Sequence, residues 1–188
     1  MTSSMPEKKR IIYLIGMPGS GKSTIGKALA KCLQLTFIDA DHALTDRTGV
    51  AITTIFELEG EAGFRQRETA LLSELSARSN ILVATGGGAI LLAENRERLR
   101  ATGVVVYLRA KLDDLWTRTR NDGKRPLLRA ENPRAALAAL LEIREPLYAE
   151  IADLVVETAG YPKVTRLAQD IVGRLVQNQL WESPTTSL

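Results

Sequence analysis

The sequence predicts an α/β fold in which a five-stranded parallel β-sheet is covered by helices on both faces. Five short apolar runs supply the strands, and longer stretches with amphipathic spacing separate them. A glycine-rich segment also stands between the first strand and the first helix. The predicted strands are residues 11–15, 35–38, 81–84, 104–108 and 154–156.

The first strand, the glycine-rich segment and the first helix form one unit. Residues 16–24 (GMPGSGKST) match the pattern G-x-x-x-x-G-K-[ST] without a mismatch, and residues 24–33 carry apolar side chains at helical spacing. Backbone N–H groups of such a loop surround phosphate oxygens, and the helix N-terminus adds partial positive charge. The sequence therefore predicts a three-layer P-loop fold that binds a nucleoside triphosphate with Mg²⁺. The alternative is a glycine-rich turn before an ordinary helix.

Individual roles within this loop follow from the motif. Lys22 is expected to reach the β and γ phosphates, and the Ser23 hydroxyl is expected to ligate Mg²⁺. The predicted ATP contacts of the loop are Gly19, Ser20, Gly21, Lys22, Ser23 and Thr24.

Two carboxylates follow the second predicted strand. Ligands of open α/β sheets bind outside the carboxyl ends of the strands, where Asp39 and Asp41 fall. Asp39 is expected to hold a Mg²⁺-bound water, and Asp41 to accept a proton from an attacking hydroxyl. The alternative is that Asp41 caps a helix that starts at His42.

The third strand ends in Thr85, where many P-loop ATPases carry a Mg²⁺-associated aspartate. This argues against a motor or transport ATPase and shifts the metal role to Asp39. A GTPase is also disfavoured, because no N-K-x-D motif occurs and the D-x-x-G match at 46–49 falls at a predicted helix end. The pattern favours a kinase.

Three successive glycines, Gly86, Gly87 and Gly88, follow Thr85. Without side chains, their backbone N–H groups can approach a bound anion or hydroxyl. The alternative is a tight turn.

Three arginines are ambiguous from spacing alone. Arg65 has Glu61 at i−4 and Glu68 at i+3, which favours a surface charge ladder over a carboxylate-binding arginine oriented by Glu68. Arg144 is unremarkable by periodicity. Arg118 could stack on adenine or belong to a solvated helix face.

The chain is expected to be one domain, 1–188, with its core at about 10–178. A helical segment at about 41–78, broken near Gly49 and Gly60, is the expected substrate-binding segment. Residues 122–133, with a glycine, prolines and basic residues, are expected to form a lid, a plain surface loop being the alternative. Residues 1–9 and 182–188 are expected to be loose tails.

Composition narrows the class of protein. The chain is 45% hydrophobic with a net charge of +3, and no apolar run is long enough to span a membrane. No basic surface with interleaved aromatic residues is evident, so no nucleic-acid partner is expected. Residues 1–10 contain no apolar signal segment, and Cys32 is the only cysteine, which suits a reducing compartment. We expect a cytoplasmic monomer that acts on anionic small molecules.

Taken together, the motifs resemble those of the shikimate kinase family, in the nucleoside-monophosphate-kinase-like branch of P-loop folds. The similarity extends from about residue 11 to about 171. It is carried by G-M-P-G-S-G-K-S-T-I-G at 16–26, D-A-D at 39–41, F-E-L-E-G-E-A-G-F-R at 56–65, G-G-G at 86–88, R-P-L-L at 125–128 and R-E-P-L-Y at 144–148.

This resemblance implies transfer of the ATP γ-phosphoryl group to the 3-hydroxyl of shikimate, in aromatic amino acid (chorismate) biosynthesis, with Mg²⁺. It implies that Asp41 binds the shikimate hydroxyls and is the candidate base, and that Arg65 and Arg144 clamp the carboxylate. Gly87 and Gly88 would offer backbone to the substrate. The implied nucleotide and metal contacts are Arg125 closing over the phosphates, Arg118 against adenine, and Ser23 and Asp39 at Mg²⁺.

Two alternatives remain at this point. One is another small-molecule kinase of the same branch, such as a gluconate kinase, and the pair Arg65 and Arg144 with the glycines at 86–88 argues against it. The other is a non-catalytic ATP-binding regulator, which would not need Lys22, Asp41 and Arg125 together.

Overall fold

The computed structural model of the protein describes residues 10–120 and 131–182. Its sheet has five strands, all parallel, in the order β2-β3-β1-β4-β5. The strands are β1 (Ile11–Ile15), β2 (Thr36–Asp39), β3 (Ile81–Ala84), β4 (Val104–Arg109) and β5 (Leu154–Glu157). The predicted fold class is therefore confirmed.

Seven α-helices and one 3₁₀ helix connect and follow these strands within the described residues. The 3₁₀ helix, Ala89–Leu91, lies directly after the glycines at 86–88. The α-helices are α1 (Lys22–Leu33), α2 (Ala40–Thr48), α3 (Ile52–Leu75), α4 (Ala93–Thr102), α5 (Leu112–Thr119), α6 (Pro133–Ile151) and α7 (Val164–Gln177).

Alternation along the strands divides the core into two layers, one on each face of the sheet. In β1, Ile11, Tyr13 and Ile15 face the layer that includes α2 to α6. Ile12 and Leu14 face the other layer, which α1 and α7 cover. Because both faces are covered, every residue of β1 is fully buried.

Strand order brings the site together. β3 lies between β1 and β2, so the loop after β1, the aspartates after β2 and the glycines after β3 leave the same edge of the sheet side by side. Asp39 is the register partner of Ala84, one residue before Thr85.

Several predicted boundaries were wrong by one or two residues. β2, β4 and β5 each end one residue later than predicted, because the parallel pairing continues to Asp39 with Ala84 and to Arg109 with Glu157. β2 begins at Thr36 rather than Leu35, because Gln34 adopts a left-handed conformation (φ 55°) and the Leu35 N–H bonds back to the carbonyl of Ala30, 2.9 Å away. Helix α1 begins at Lys22 rather than Thr24, directly after the left-handed Gly21.

The predicted break points in the segment 41–78 are confirmed. Gly49 ends α2 with φ 70°, and Gly60 (φ 68°) interrupts α3. The D-x-x-G match at 46–49 is thus a helix C-terminus. Of the predicted lid, 122–130 lie outside the described residues, as do 1–9 and 183–188 of the predicted tails.

The helices within the described residues are too short or too polar to cross a bilayer.

Candidate active site

The phosphate-binding loop contains glycines at positions where any other residue would strain the backbone or collide with a neighbouring side chain. Gly21 has φ 94° and caps α1, so the first N–H groups of that helix point into the loop. Gly19 has φ 83°, and a Cβ there would come within 2.7 Å of Thr119 Cγ2 on α5. The Lys22 ammonium donates to the carbonyls of Gly16 (2.7 Å) and Met17 (2.9 Å). The loop is therefore a concave set of N–H donors with a cation at its mouth.

Ser23 and Asp39 meet at the next corner of the site. The Ser23 hydroxyl donates to Asp39 Oδ2, and the other oxygen of Asp39 accepts from the His42 N–H at 3.2 Å. Asp39 is thus the N-cap of α2, and the alternative that Asp41 caps this helix was wrong. The physical reason is that α2 starts at Ala40, which leaves Asp41 in its exposed first turn.

One open cleft joins the ends of the first three strands. It contains most of the predicted phosphate contacts, both aspartates and part of the glycine run. Its lining residues are Pro18, Gly19, Gly21, Lys22, Ser23, Thr24, Asp39, Asp41, Thr85 and Gly87.

Two arginines are buried at the inner side of this cleft, Arg65 at 8% and Arg144 at 2% exposure. Arg65 forms ion pairs with Glu68 (2.7 Å) and Glu61 (3.1 Å), and Glu68 is itself only 1% exposed. The surface charge ladder expected from spacing was therefore wrong. Helical spacing places these residues on one face of α3, and packing buries Arg65 and Glu68 while Glu61 stays exposed.

Arg144 differs from Arg65 in its partners. Among the described residues it has no ion pair with a carboxylate, and its Nε has no hydrogen-bond partner. Its charge acts to lower the pKa of Glu68, but more weakly than the charge of Arg65 does. A buried cation without a close anion is costly unless a ligand supplies the anion.

The three glycines separate these groups. A Cβ at Gly86 would collide with Glu68 Oε1 and lie 3.1 Å from Asp41 Oδ1. One at Gly87 would lie 2.8 Å from Pro18 Cδ and 3.4 Å from Arg144 Nη1, and one at Gly88 would enter the guanidinium of Arg65. A tight turn alone would not require glycine at all three positions, but this packing does.

Burial and charge shift two pKa values here. Burial raises the pKa of Glu68, and Arg65 only partly offsets this, while the charge of Asp41 raises it further. For Arg65, burial acts to lower the pKa, but Glu68 and Glu61 outweigh it and the pKa is raised. Arg65 therefore stays charged.

Sequence reasoning missed Tyr148. Its hydroxyl donates to the carbonyl of Gly87 at 2.5 Å, and its ring stacks on Tyr107 with centroids 5.0 Å apart. The available signal was the spacing in R-E-P-L-Y, since residues four apart share a helix face.

Only part of the predicted nucleotide-binding side of the site lies among the described residues. Arg118, on α5, is exposed and donates to the carbonyl of Gly19 at 3.1 Å, so it lies beside the phosphate-binding loop. Arg125 lies outside the described residues.

A P-loop that shares one cleft with two aspartates at the same edge of a parallel sheet is typical of a small P-loop kinase. The family model "Shikimate kinase" matches residues 18–178. The chain therefore belongs to the shikimate kinase family. Members of this family use ATP to phosphorylate the 3-hydroxyl of shikimate, so the predicted family and enzyme class are confirmed.

Individual relatives of the chain are also named shikimate kinases. The chain is 52% identical to a shikimate kinase of Burkholderia lata, over 87% of this chain and 89% of the relative. It is 53% identical to one from Nitrosospira multiformis, over 87% and 84%. A solved shikimate kinase from Acinetobacter baumannii, in complex with shikimate, is 46% identical with a TM-score of 0.88, covering 93% of this chain and 97% of that one.

A gluconokinase from Sinorhizobium meliloti matches with a TM-score of 0.59 and 22% identity, over 93% of this chain and 97% of that one. At that identity the likeness extends to the fold alone.

Proposed function

We propose that this chain transfers the γ-phosphoryl group of ATP to the 3-hydroxyl of shikimate, and that Arg65 and Arg144 bind the shikimate carboxylate. The observation that carries the proposal is Arg144, a cation at 2% exposure without an ion-pair partner among the described residues. A ligand carboxylate supplies the missing anion. Two guanidinium groups grip a planar carboxylate through several hydrogen bonds and fix the orientation of the ring.

The glycines contribute open space, because they carry no side chains. With no side chain at Gly87 and Gly88, the acceptor can approach the backbone between the arginines and the phosphate-binding loop. This pocket selects for the carboxylate, because an analogue without it leaves two buried cations unpaired.

The phosphate side supplies positioning and charge. Lys22, at the mouth of the loop, stabilises the charge that develops on the γ-phosphoryl oxygens. Gly19, Ser20, Gly21 and Thr24 are proposed to contact the phosphates through the loop and the start of α1. A phosphoryl group held there shares one cleft with Asp41 and Gly87.

Asp41 is proposed to bind the shikimate hydroxyls and to accept the proton of the attacking 3-hydroxyl. It lines the cleft in the first turn of α2, and one of its oxygens lies beside Gly86. A carboxylate within hydrogen-bond reach of the acceptor orients the hydroxyl and takes its proton as the new O–P bond forms, while the bond from the γ-phosphorus to the bridging oxygen breaks and ADP leaves.

Ser23 and Asp39 fit a Mg²⁺ requirement. They join two oxygen donors at the edge of the phosphate-binding loop, which suits a hard cation. The described residues contain no cluster of three or more His, Cys, Asp or Glu that could hold a metal, and Mg²⁺ usually binds through one or two carboxylates together with substrate phosphates. When bound, Mg²⁺ would neutralise phosphate charge.

Two further arginines complete the proposal. Arg118, tethered to the Gly19 carbonyl, is near enough to the loop to lie against the adenine. Arg125 is proposed, from the family resemblance, to close over the phosphates from the lid at 122–133.

A coupled ADP-release assay tests the function. Purified enzyme with ATP and Mg²⁺ should release ADP with shikimate, and not with gluconate, nucleoside monophosphates or a shikimate analogue whose carboxylate is reduced to an alcohol. Product phosphorylated at another hydroxyl, or turnover with gluconate but not shikimate, would refute the proposal.

We also propose that the chain acts as a cytoplasmic monomer folded as one domain. Most of the proposed site residues among the described ones line one cleft of a single chain, which supports the monomer and the single domain. Sedimentation of the active enzyme should give a mass near 20.6 kDa, and cell fractionation tests the compartment.

A further inference from the structure

The turn formed by Gly86, Gly87 and Gly88 has no side chains with which to hold itself in place. Among the described residues, the N–H groups of these glycines have no hydrogen-bond partner. All six carbonyls from Gly86 to Leu91 do accept a hydrogen bond, and four of these bonds come from side chains. The carbonyls are thus anchored in the protein, while the glycine N–H groups have no protein partner among the described residues and Gly87 lines the cleft.

The first anchor is Tyr148 on α6, which donates to the Gly87 carbonyl at 2.5 Å. The side chain is fully buried, and its ring is fixed by stacking on Tyr107. Burial raises the pKa of Tyr148, so its hydroxyl keeps its proton throughout the physiological range. Tyr148 lies one helical turn after Arg144, so one helix carries both the cation and the anchor.

The second anchor comes from the start of α4. Asn95 Nδ2 donates to the carbonyl of Ala89 at 3.0 Å, and Arg96 Nη1 donates to those of Ile90 (2.8 Å) and Leu91 (3.2 Å). Asn95 is fully buried, and Arg96 also lies 3.8 Å from Glu150 on α6. Tyr148 of α6 therefore holds the turn itself, and α4 holds the 3₁₀ helix Ala89–Leu91 that continues from it.

We propose that Tyr148, Asn95 and Arg96 are positioning residues that orient the glycine turn so that its N–H groups face the acceptor. The inference rests on the proposed binding of shikimate beside Gly87. Peptide groups whose carbonyls are fixed act as preorganised donors for an anion or hydroxyl. Freed from its anchors, the turn can rotate its peptides and lose these donors.

The test compares two substitutions that each remove one hydroxyl from the same ring stack. Tyr148→Phe leaves the part-buried Gly87 carbonyl without its donor and also removes the hydrogen bond between the Tyr148 hydroxyl and the Arg144 side chain. The Tyr107 hydroxyl has no hydrogen bond within the described residues. The Arg96 variants described next separate the effect on the turn from the effect on Arg144. We expect Tyr148→Phe to raise the shikimate KM about tenfold, with the ATP KM within about twofold of wild type. Tyr107→Phe should leave both constants unchanged.

A second pair of variants covers the case in which Tyr148→Phe does not fold. Arg96→Ala should raise the shikimate KM selectively, Arg96→Lys should restore part of it, and Arg100→Ala, an exposed arginine on the same helix, should not change it. Melting temperatures of the same variants distinguish a loss of positioning from general destabilisation of the fold.

The outcomes are distinguishable. Wild-type enzyme that phosphorylates shikimate, with variants that keep the wild-type shikimate KM or raise both KM values equally, would overturn this inference alone. Wild-type enzyme inactive on shikimate would overturn the proposed function and this inference with it.

Discussion

The phosphate-binding loop and the proposed acceptor pocket around Arg65 and Arg144 lie at one edge of the sheet, but they are built in opposite ways. The loop is contiguous, lies between β1 and α1, and uses backbone N–H groups and one lysine. The pocket combines α3, the turn after β3 and α6, and it uses buried arginines. A site made of consecutive backbone groups can be recognised from a motif, whereas a site made of distant side chains depends on packing.

The two arginines of the pocket differ in the same instructive way. Arg65 is neutralised within the protein by Glu68 and Glu61, while Arg144 has no such ion pair among the described residues. Arg65 is therefore part of the folded core as well as of the proposed site, whereas in the proposed complex Arg144 takes its counter-charge from the ligand.

The largest effect expected is on the loop side. Lys22→Met should lower kcat by about 10³ or more with the fold intact, because transition-state charge on the phosphoryl group loses its cation. Lys27→Met removes the same charge from an exposed position of the same helix and should leave kcat unchanged. ADP-release kinetics measure kcat for both variants, and circular dichroism checks that both are folded. Retained activity in Lys22→Met would contradict the role given to the loop.

The next effect separates the two arginines. Arg65→Ala and Arg144→Met should each raise the shikimate KM, by about 10². Their stabilities should diverge: Arg65→Ala strands the buried Glu68 and should cost roughly 3 kcal/mol, whereas Arg144→Met removes an unpaired buried charge and should cost less than about 1 kcal/mol.

Denaturant unfolding measures the stability difference between these two variants, and Arg134→Met on the exposed face of α6 is the matched control. Equal losses of stability in the two pocket variants would remove the distinction drawn between them.

A smaller effect should follow from filling the glycine turn. In Gly88→Ala the new methyl group would enter the Arg65 guanidinium, so the shikimate KM should rise roughly tenfold while the ATP KM holds. Gly173→Ala, in α7 with no atom within 4 Å of the added Cβ, should instead stabilise the protein by about 0.5–1 kcal/mol. A wild-type shikimate KM in Gly88→Ala would indicate that the turn does not border the acceptor.

The smallest effect is on pH dependence. Because burial raises the pKa of Glu68 above its ordinary value of 4.5, the folded state binds this proton more tightly than the unfolded state. The contribution of Glu68 to stability is therefore full below pH 4.5 and declines as pH rises through the folded pKa. The difference in unfolding free energy between wild type and Glu68→Gln should shrink, or change sign, from about pH 4 towards neutral. A difference that grows over this range would reverse the sign assigned here.

Much of the fold could be predicted because the strand signals are local. Uninterrupted apolar runs marked β1 and β3 to the residue, and the motif marked the loop between β1 and α1. The predicted starts of β2 and α1, at Leu35 and Thr24, were wrong because they depend on left-handed residues at helix ends, Gln34 and Gly21, which the amino-acid pattern constrains weakly. The predicted ends of β2, β4 and β5 fell one residue short because the last residue of each strand is charged.

The acceptor pocket could be named only through family resemblance. From spacing alone, Arg65 and Glu68 were predicted to be a solvent-exposed pair and Arg144 to have no special role. The reason is that the sequence of a helix does not show which of its faces other elements cover. Tyr148 was missed for the same reason, because its partner is a backbone carbonyl 61 residues away in sequence.

By itself, the sequence determined the α/β class, the phosphate-binding loop and the order of the elements, because each depends on residues close together in the chain. Only the tertiary structure decided that Arg65 and Arg144 are buried, that one is ion-paired and the other is not, and why three glycines stand between them. Those properties depend on desolvation and on distances between α3, the turn after β3 and α6, which are far apart in the chain and meet only in the packed fold.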